Sequence, residues 1–247
     1  MNQRILVGCP TSNHKAYCLE PYIKAVTSLS YPDYDIMIVD NSKEDAYHKR
    51  ITELLKKFAE GKKFKVVKDE YAENFKDRIV HSRNLIRNEL IKNKYDYFLS
   101  LEQDVIPPKD VIERLLSHNK DVVTGIYFKE YFAQNTNTGK VEKLVLPLIY
   151  KTLDEENLRE VEYHEIEGSS FMKVTACGLG CILISAEVLK DIKFRHNPKY
   201  PAFDDMYFCK DADQLNVPIF ADTTVKCRHL HRATDWRKIK HDTKDSN

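Results

Sequence analysis

The 247-residue chain has no CxxC pair among its six cysteines, nothing resembling a signal peptide at its start and no long apolar run. Cys9, Cys18, Cys177, Cys181, Cys209 and Cys227 fit no disulfide framework, so reduced thiols in a cytoplasmic protein are expected. The longest apolar stretches, such as Ile36 to Val39 and Cys181 to Ile184, fall far below the roughly 20 residues needed to cross a bilayer. Charge of one sign is not in excess either. Thirty-nine basic and 38 acidic side chains leave a formal charge of +1, which gives no electrostatic reason to expect nucleic acid as a partner. Repeats and low-complexity tracts are absent. What is present is 42% apolar and 31% charged residues, in a chain large enough to bury about 70% of its surface around a full core.

From Arg4 to Val123 short apolar runs alternate with segments of helical period, which predicts a mostly parallel sheet covered by helices, an α/β fold. Strands are expected at Ile5 to Gly8, Tyr34 to Val39, Phe64 to Val67, Tyr95 to Leu101 and Val122 to Tyr127. The intervening helices are expected near Ala16 to Leu29, Ala46 to Ala59, Arg78 to Lys92 and Asp110 to His118. In the third helix Ile79, Arg83, Ile86 and Leu90 share one stripe, so Arg83 faces the sheet and needs an anion. Beyond Phe128 the pattern turns polar, with a turn-rich Gln134 to Gly139 and strands near Val145 to Tyr150 and Phe171 to Thr175, as in an inserted antiparallel or loop region. A helix near Asp204 to Leu215 and a strand at Ile219 to Ala221 follow.

An open parallel sheet binds ligands at the carboxyl ends of its strands. Glu102-Gln103-Asp104 follows the fourth strand, and two carboxylates on one side of a loop outline a site for a hard cation such as Mg²⁺ or Mn²⁺. Asp204-Asp205 opens a helix; one of the pair is expected to cap it, while the other is a candidate general base. Cys227, His229 and His231 form a Cys-x-His-x-His run without zinc-site spacing, and a single histidine joining the acidic loop is better motivated. Asp40-Asn41-Ser42 suits both a turn and a carboxylate acceptor for ligand N–H or hydroxyl groups.

The order of these features resembles GT-A-fold glycosyltransferases related to family 2 of the inverting enzymes, especially small stand-alone bacterial and phage members. The resemblance runs from Ile5 to His231. It rests on Val7-Gly8-Cys9-Pro10-Thr11, Ile38-Val39-Asp40-Asn41-Ser42, Ser82-Arg83-Asn84, Val105-Ile106-Pro107-Pro108, Asp121 to Phe128, Gly178-Leu179-Gly180, Asp204 to Cys209, and Val225 to Leu230. Glu102 stands where the family usually has aspartate, and Asp204 where glutamate is common.

The resemblance implies one domain over 1–247, with a nucleotide-sugar half (1–128), an acceptor half (129–231) and a basic tail (232–247). It implies a UDP- or GDP-type sugar donor contacted by Pro10, Thr11, Asp40, Arg83, Gln103 and Asp104. Mn²⁺ or Mg²⁺ is expected on Glu102, Asp104 and His229, with His231 as a spare. Asp205 is the expected base, and Gly178, Gly180 and Asp204 are expected to border the acceptor, whether a glycan, a lipid-linked sugar, a protein or a modified base. In the family, segments after the metal histidine often close over the donor, which would set the cations Arg232, Arg237, Lys238 and Lys240 against phosphate and Trp236 over the sugar; the alternative is a solvated basic end, the better reading for any single lysine. The alternatives are a nucleotidyltransferase, disfavoured by the single glycine in Gly8 to Asn13, and a non-catalytic module binding nucleotide or sugar.

Overall fold

The computed structural model describes residues 2–134, 139–154 and 157–230. His231 and the basic tail with Trp236 lie outside the described residues, as does most of the turn-rich 134–139 segment. In chain order the elements begin with β1 (Ile5–Thr11), α1 (Leu19–Thr27), β2 (Tyr34–Asp40), α2 (Asp45–Phe58), β3 (Phe64–Lys68), α3 (Phe75–Lys92) and β4 (Tyr97–Leu101). A short β5 (Val105–Ile106), α4 (Val111–Ser117) and β6 (Val122–Ile126) follow. The region beyond contains β7 (Phe128–Gln134), β8 (Val141–Pro147), β9 (Ile149–Thr152), β10 (Leu158–Glu160), α5 (Tyr163–Gly168), β11 (Phe171–Val174) and β12 (Ala176–Cys177). The chain then forms β13 (Cys181–Ser185), α6 (Ala186–Asp191), α7 (Asp204–Gln214), β14 (Ile219–Lys226) and β15 (Arg228–His229).

Eight strands make the main sheet in the order β11-β14-β6-β13-β4-β1-β2-β3. The β4-β1-β2-β3 half is wholly parallel, β6 and β14 are parallel to each other, and β13 runs antiparallel between β4 and β6. Alternate side chains of the strands enter opposite layers. Ile5, Val7 and Cys9 of β1 pack with Tyr22, Ile23, Ile51, Leu55 and Ile112 under α1, α2 and α4. Leu6 turns the other way, to Ile86 and Leu90 of α3, Leu189 of α6 and Phe208 of α7. The expected α/β sheet is therefore present, and its strand order reverses between β1 and β4, the place where such sheets gather their ligand-binding loops.

The first helix differs from the expectation of one helix from Ala16. A 3₁₀ turn over Asn13–Cys18 precedes α1, because Pro21 has no N–H to bond Tyr17 and its ring crowds that carbonyl. Neither acid of the Asp204-Asp205 pair caps α7. Phe203 is the N-cap residue, and the two carboxylates occupy the first turn, where they offset the helix dipole. Four small strands and two helices carried too few residues for their periodicity to be read: β5, β10, β12, β15, α5 and α6.

Candidate active site

A cleft of about 830 Å³ opens at the carboxyl ends of β1 and β4. Its walls include Pro10 from β1, Glu102, Gln103 and Asp104 after β4, Asp204 and Asp205 from α7, and His229 from β15. His229 reaches this cleft through a two-residue ladder: β15 pairs antiparallel with β5 so that His229 lies opposite Val105. The Leu230 N–H then donates to the Asp104 carbonyl at 2.7 Å. This register sets His229 Nε2 3.5 Å from Asp104 Oδ2.

His229 Nδ1 lies 2.8 Å from the Phe128 carbonyl oxygen, which can only accept, so Nδ1 donates its proton there and Nε2 is the ring nitrogen that faces Asp104. Tyr127 supports the ring from the side, edge-on at 5.3 Å between centroids. The place of Tyr127 depends on the two glycines. A Cβ at Gly178 would lie 2.1 Å from the Tyr127 hydroxyl oxygen, and one at Gly180 would lie 2.6 Å from its ring. The Gly180 N–H donates to that hydroxyl at 2.9 Å. Gly178 and Gly180 thus make room for the tyrosine that braces His229, a role the sequence signalled only as Gly-Leu-Gly beside a strand.

Asp104 is buried, and a residue the sequence reading did not single out reaches it. Lys15, projecting from the 3₁₀ turn after β1, places its ammonium directly on Asp104 Oδ2. Burial pushes the Asp104 carboxyl up, but His229 and Lys15 outweigh it and hold the group at about 2. Burial likewise works against the Lys15 charge, and the Asp104 and Glu102 carboxylates overcome it. Asp104 Oδ1 is buried with no hydrogen-bond partner among the described residues. That is costly for a carboxylate oxygen unless something else meets it.

Glu102 was expected to join Asp104 and His229, but its Oε1 takes Arg83 Nη2 at 2.6 Å. No group of three or more His, Cys, Asp or Glu side chains is gathered for an ion among the described residues. Asp104 and His229 nevertheless suit a hard divalent ion as a two-residue seat. They offer an unsatisfied buried carboxylate oxygen, an imidazole Nε2 aimed by the backbone carbonyl that holds Nδ1, and a carboxylate that already accepts a cation. Ions of this kind commonly complete their shell with water and substrate phosphate.

Arg83 faces the sheet as its spacing requires and is 2% exposed. Its Nη1 donates to Ser100 Oγ at 2.8 Å, Nη2 pairs with Glu102, and Nε lies 2.7 Å from Asp204 Oδ2. The guanidinium is thus a strut between the β4 loop and the start of α7. Asp205, beside Asp204, is left without such a cation. Burial first, and then the Asp204 charge, raise its carboxyl from 3.8 to about 6, although the Met206 N–H donates to Oδ1 at 2.7 Å.

The remaining expected donor contacts are committed to the protein. Gln103 Oε1 accepts from Thr11 and from the Tyr47 hydroxyl, and its Nε2 donates to the Lys15 carbonyl. Gln103 therefore ties β1, the 3₁₀ turn and α2 together. Asp40 is fully buried, with Oδ1 accepting from the Ser42 N–H at 2.9 Å and the Ser42 hydroxyl, and Oδ2 3.2 Å from Lys68. It is a turn-former at the end of β2, outside the residues that line the cleft. Thr11 does not line the cleft either, whereas Pro10 does.

No helix among the described residues is long and apolar enough to cross a membrane. No family model and no curated protein matches the chain. Solved structures do. The mannosyltransferase PcManGT from Pyrobaculum calidifontis, in complex with GDP-Man and Mn²⁺, is similar at TM-score 0.59 and 12% identity, over 96% of this chain and 59% of its own. TarS from S. aureus is similar at TM-score 0.57 and 14% identity, over 92% of this chain and 37% of its own. A197 from STIV aligns over 93% of this chain and 86% of its own at 16% identity, with a TM-score of 0.46 that carries no weight. The chain accordingly spans little more than half of the mannosyltransferase and just over a third of TarS. With its sheet order and the cleft at its strand ends, the protein has a GT-A-like fold.

Proposed function

We propose that the protein is an inverting glycosyltransferase that moves a sugar from a nucleoside diphosphate to an acceptor hydroxyl. The observation that carries this reading is the meeting of Asp104 and His229 at 3.5 Å in the same cleft as Asp205, on a GT-A-like sheet. The single domain divides into a donor half over 1–128 and an acceptor half over 129–231. The similar mannosyltransferase holds GDP-Man and Mn²⁺, which supports a nucleotide-sugar donor and a divalent ion here.

Asp104 and His229 would hold Mn²⁺ or Mg²⁺, with Glu102 reached through water. A divalent ion there supplies positive charge against the departing diphosphate. The chain's own groups do the rest. Pro10 borders the donor at the end of β1. Asp205 accepts the proton of the acceptor hydroxyl as that oxygen bonds to the anomeric carbon from the face opposite the diphosphate; the carbon–oxygen bond to phosphate breaks, and configuration inverts. A carboxyl titrating near 6 is ionised at neutral pH yet basic enough to take that proton. Arg83 holds Asp204 and Glu102 in place beside the reacting groups.

The test is to incubate the protein with UDP-, GDP- and dTDP-sugars, Mn²⁺ and a panel of glycan, lipid-linked and peptide acceptors, and to measure free nucleoside diphosphate. Acceptor-dependent release is expected. Release of pyrophosphate from nucleoside triphosphates supplied with sugar 1-phosphates in a parallel incubation would indicate a nucleotidyltransferase, and saturable donor binding without turnover across the panel would indicate a binding module.

A further inference from the structure

The ion seat described above already has an occupant supplied by the chain. Lys15 is anchored by neighbours that leave little choice of position: the Lys15 carbonyl accepts from Gln103 Nε2, its N–H donates to the Ser12 carbonyl at 2.9 Å, and its ammonium contacts Asp104 Oδ2. The side chain is 38% exposed, so the ammonium has room to leave Asp104 without unfolding the turn that carries it. Lys15 and Asp104 line the same cleft. A positive ammonium and a divalent ion cannot both sit against one carboxylate oxygen without repulsion, because like charges at contact cost several kcal/mol even in a partly wet site.

We propose that Lys15 is a tethered cation that competes with the divalent ion for Asp104 and, when displaced, turns onto the diphosphate of the bound nucleotide. This rests on the donor reading given above. Ion and nucleotide then bind cooperatively. The ion alone must displace Lys15 from its carboxylate, whereas with a diphosphate present the displaced ammonium finds a new anion. A lysine ammonium suits this exchange, being a compact point charge on a flexible stem with three donors. The coupling is reciprocal: the factor by which nucleotide tightens the ion equals that by which the ion tightens nucleotide.

The experiment measures Mn²⁺ binding by electron paramagnetic resonance, with the full chain alone and with GDP or UDP, for wild type, Lys15→Met, Lys15→Gln and Lys15→Arg. Without nucleotide, the Met and Gln variants are expected to bind Mn²⁺ about fivefold or more tightly than wild type, and the Arg variant close to wild type. The tightening of Mn²⁺ by nucleotide is expected to shrink in the Met and Gln variants. Circular dichroism spectra that match wild type establish that the variants fold, and two neutral replacements guard against one that does not. Mn²⁺ affinity unchanged or weakened in both neutral variants overturns the proposal, as does loss of Mn²⁺ binding in none of them when Asp104→Asn is added. Because no sugar transfer is read, a protein that shows the expected ion affinities but transfers no sugar leaves this inference intact and removes the proposed activity. The reverse outcome removes Lys15 alone.

Discussion

Replacing Asp205 by Asn should make the protein more stable at neutral pH while abolishing the proposed sugar transfer. The folded protein raises the Asp205 carboxyl from 3.8 to about 6, first by burial and then by the Asp204 charge. That difference corresponds to about 3 kcal/mol. Its sign follows from linkage. Below pH 3.8 the carboxyl is protonated in both states and costs nothing. As pH rises the unfolded chain ionises first, so stability is lost progressively until about pH 6, above which the full cost remains. Asparagine has no such cost and keeps an oxygen for the Met206 N–H, but its amide needs a partner in a crowded site. The net gain of Asp205→Asn at pH 8 is therefore expected at about 1 to 3 kcal/mol, or roughly 2 to 4 °C per kcal/mol in a domain of this size. Urea unfolding of both proteins from pH 4 to 8 measures it. The difference should shift in the variant's favour by about 2 to 3 kcal/mol between pH 4 and pH 8 and level off above pH 7. A variant that is less stable at pH 8, or whose advantage is the same at both ends, refutes the reasoning about Asp205's surroundings.

Other outcomes follow from the same geometry. The wild-type kcat/KM for sugar transfer should fall as pH drops through about 6, because the protonated Asp205 cannot accept the acceptor's proton; a profile flat from pH 5 to 8 would count against that role. Arg83→Met leaves the Asp204 and Glu102 carboxylates without the cation they share, and thermal unfolding should show a loss of about 3 to 5 kcal/mol. Gly178→Ala drives a methyl into the Tyr127 hydroxyl and should cost about 1 to 3 kcal/mol; adding Tyr127→Phe should recover part of that loss, since the nearest remaining ring atom would be 3.1 Å away. Additive losses in the double variant would mean that the hydroxyl is not what the glycine accommodates.

The parallel half of the sheet was legible because its apolar runs are short, rich in Val and Ile, and separated by helices of clear period. The inward face of α3 was legible for the same reason: Arg83 stands on a stripe with Ile79, Ile86 and Leu90, and it is buried as that spacing demands. The spacing did not reveal which acids would meet it, since Glu102 and Asp204 arrive from different parts of the chain. His229 and Asp104 were paired through the family resemblance. What brings them together physically is the two-residue β5–β15 ladder, far too short to leave a period in the sequence. Lys15 left no signal at all, because a side chain on a 3₁₀ turn is aimed by the turn's backbone and not by any apolar pattern around it. Tyr127 was read as the end of a strand; the two glycines across from it were the available clue to a bulky side chain packed against backbone. Asp40 and Gln103 have the residue types of a ligand site, yet they spend their polar atoms on the protein, which only coordinates can reveal.

The central claim is that one cleft brings a nucleoside diphosphate, an ion on Asp104 and His229, and the Asp205 base together. A crystal structure of the protein with Mn²⁺ and a nucleoside diphosphate tests it most directly. The expected result has Mn²⁺ coordinated by Asp104 and His229, the diphosphate on that ion with Lys15 turned toward it, and the terminal phosphate facing the side of the cleft that holds Asp205. Nucleotide bound elsewhere, for instance in the groove beside Tyr200 and Tyr207 on the other side of α7, with Lys15 still on Asp104, would contradict it.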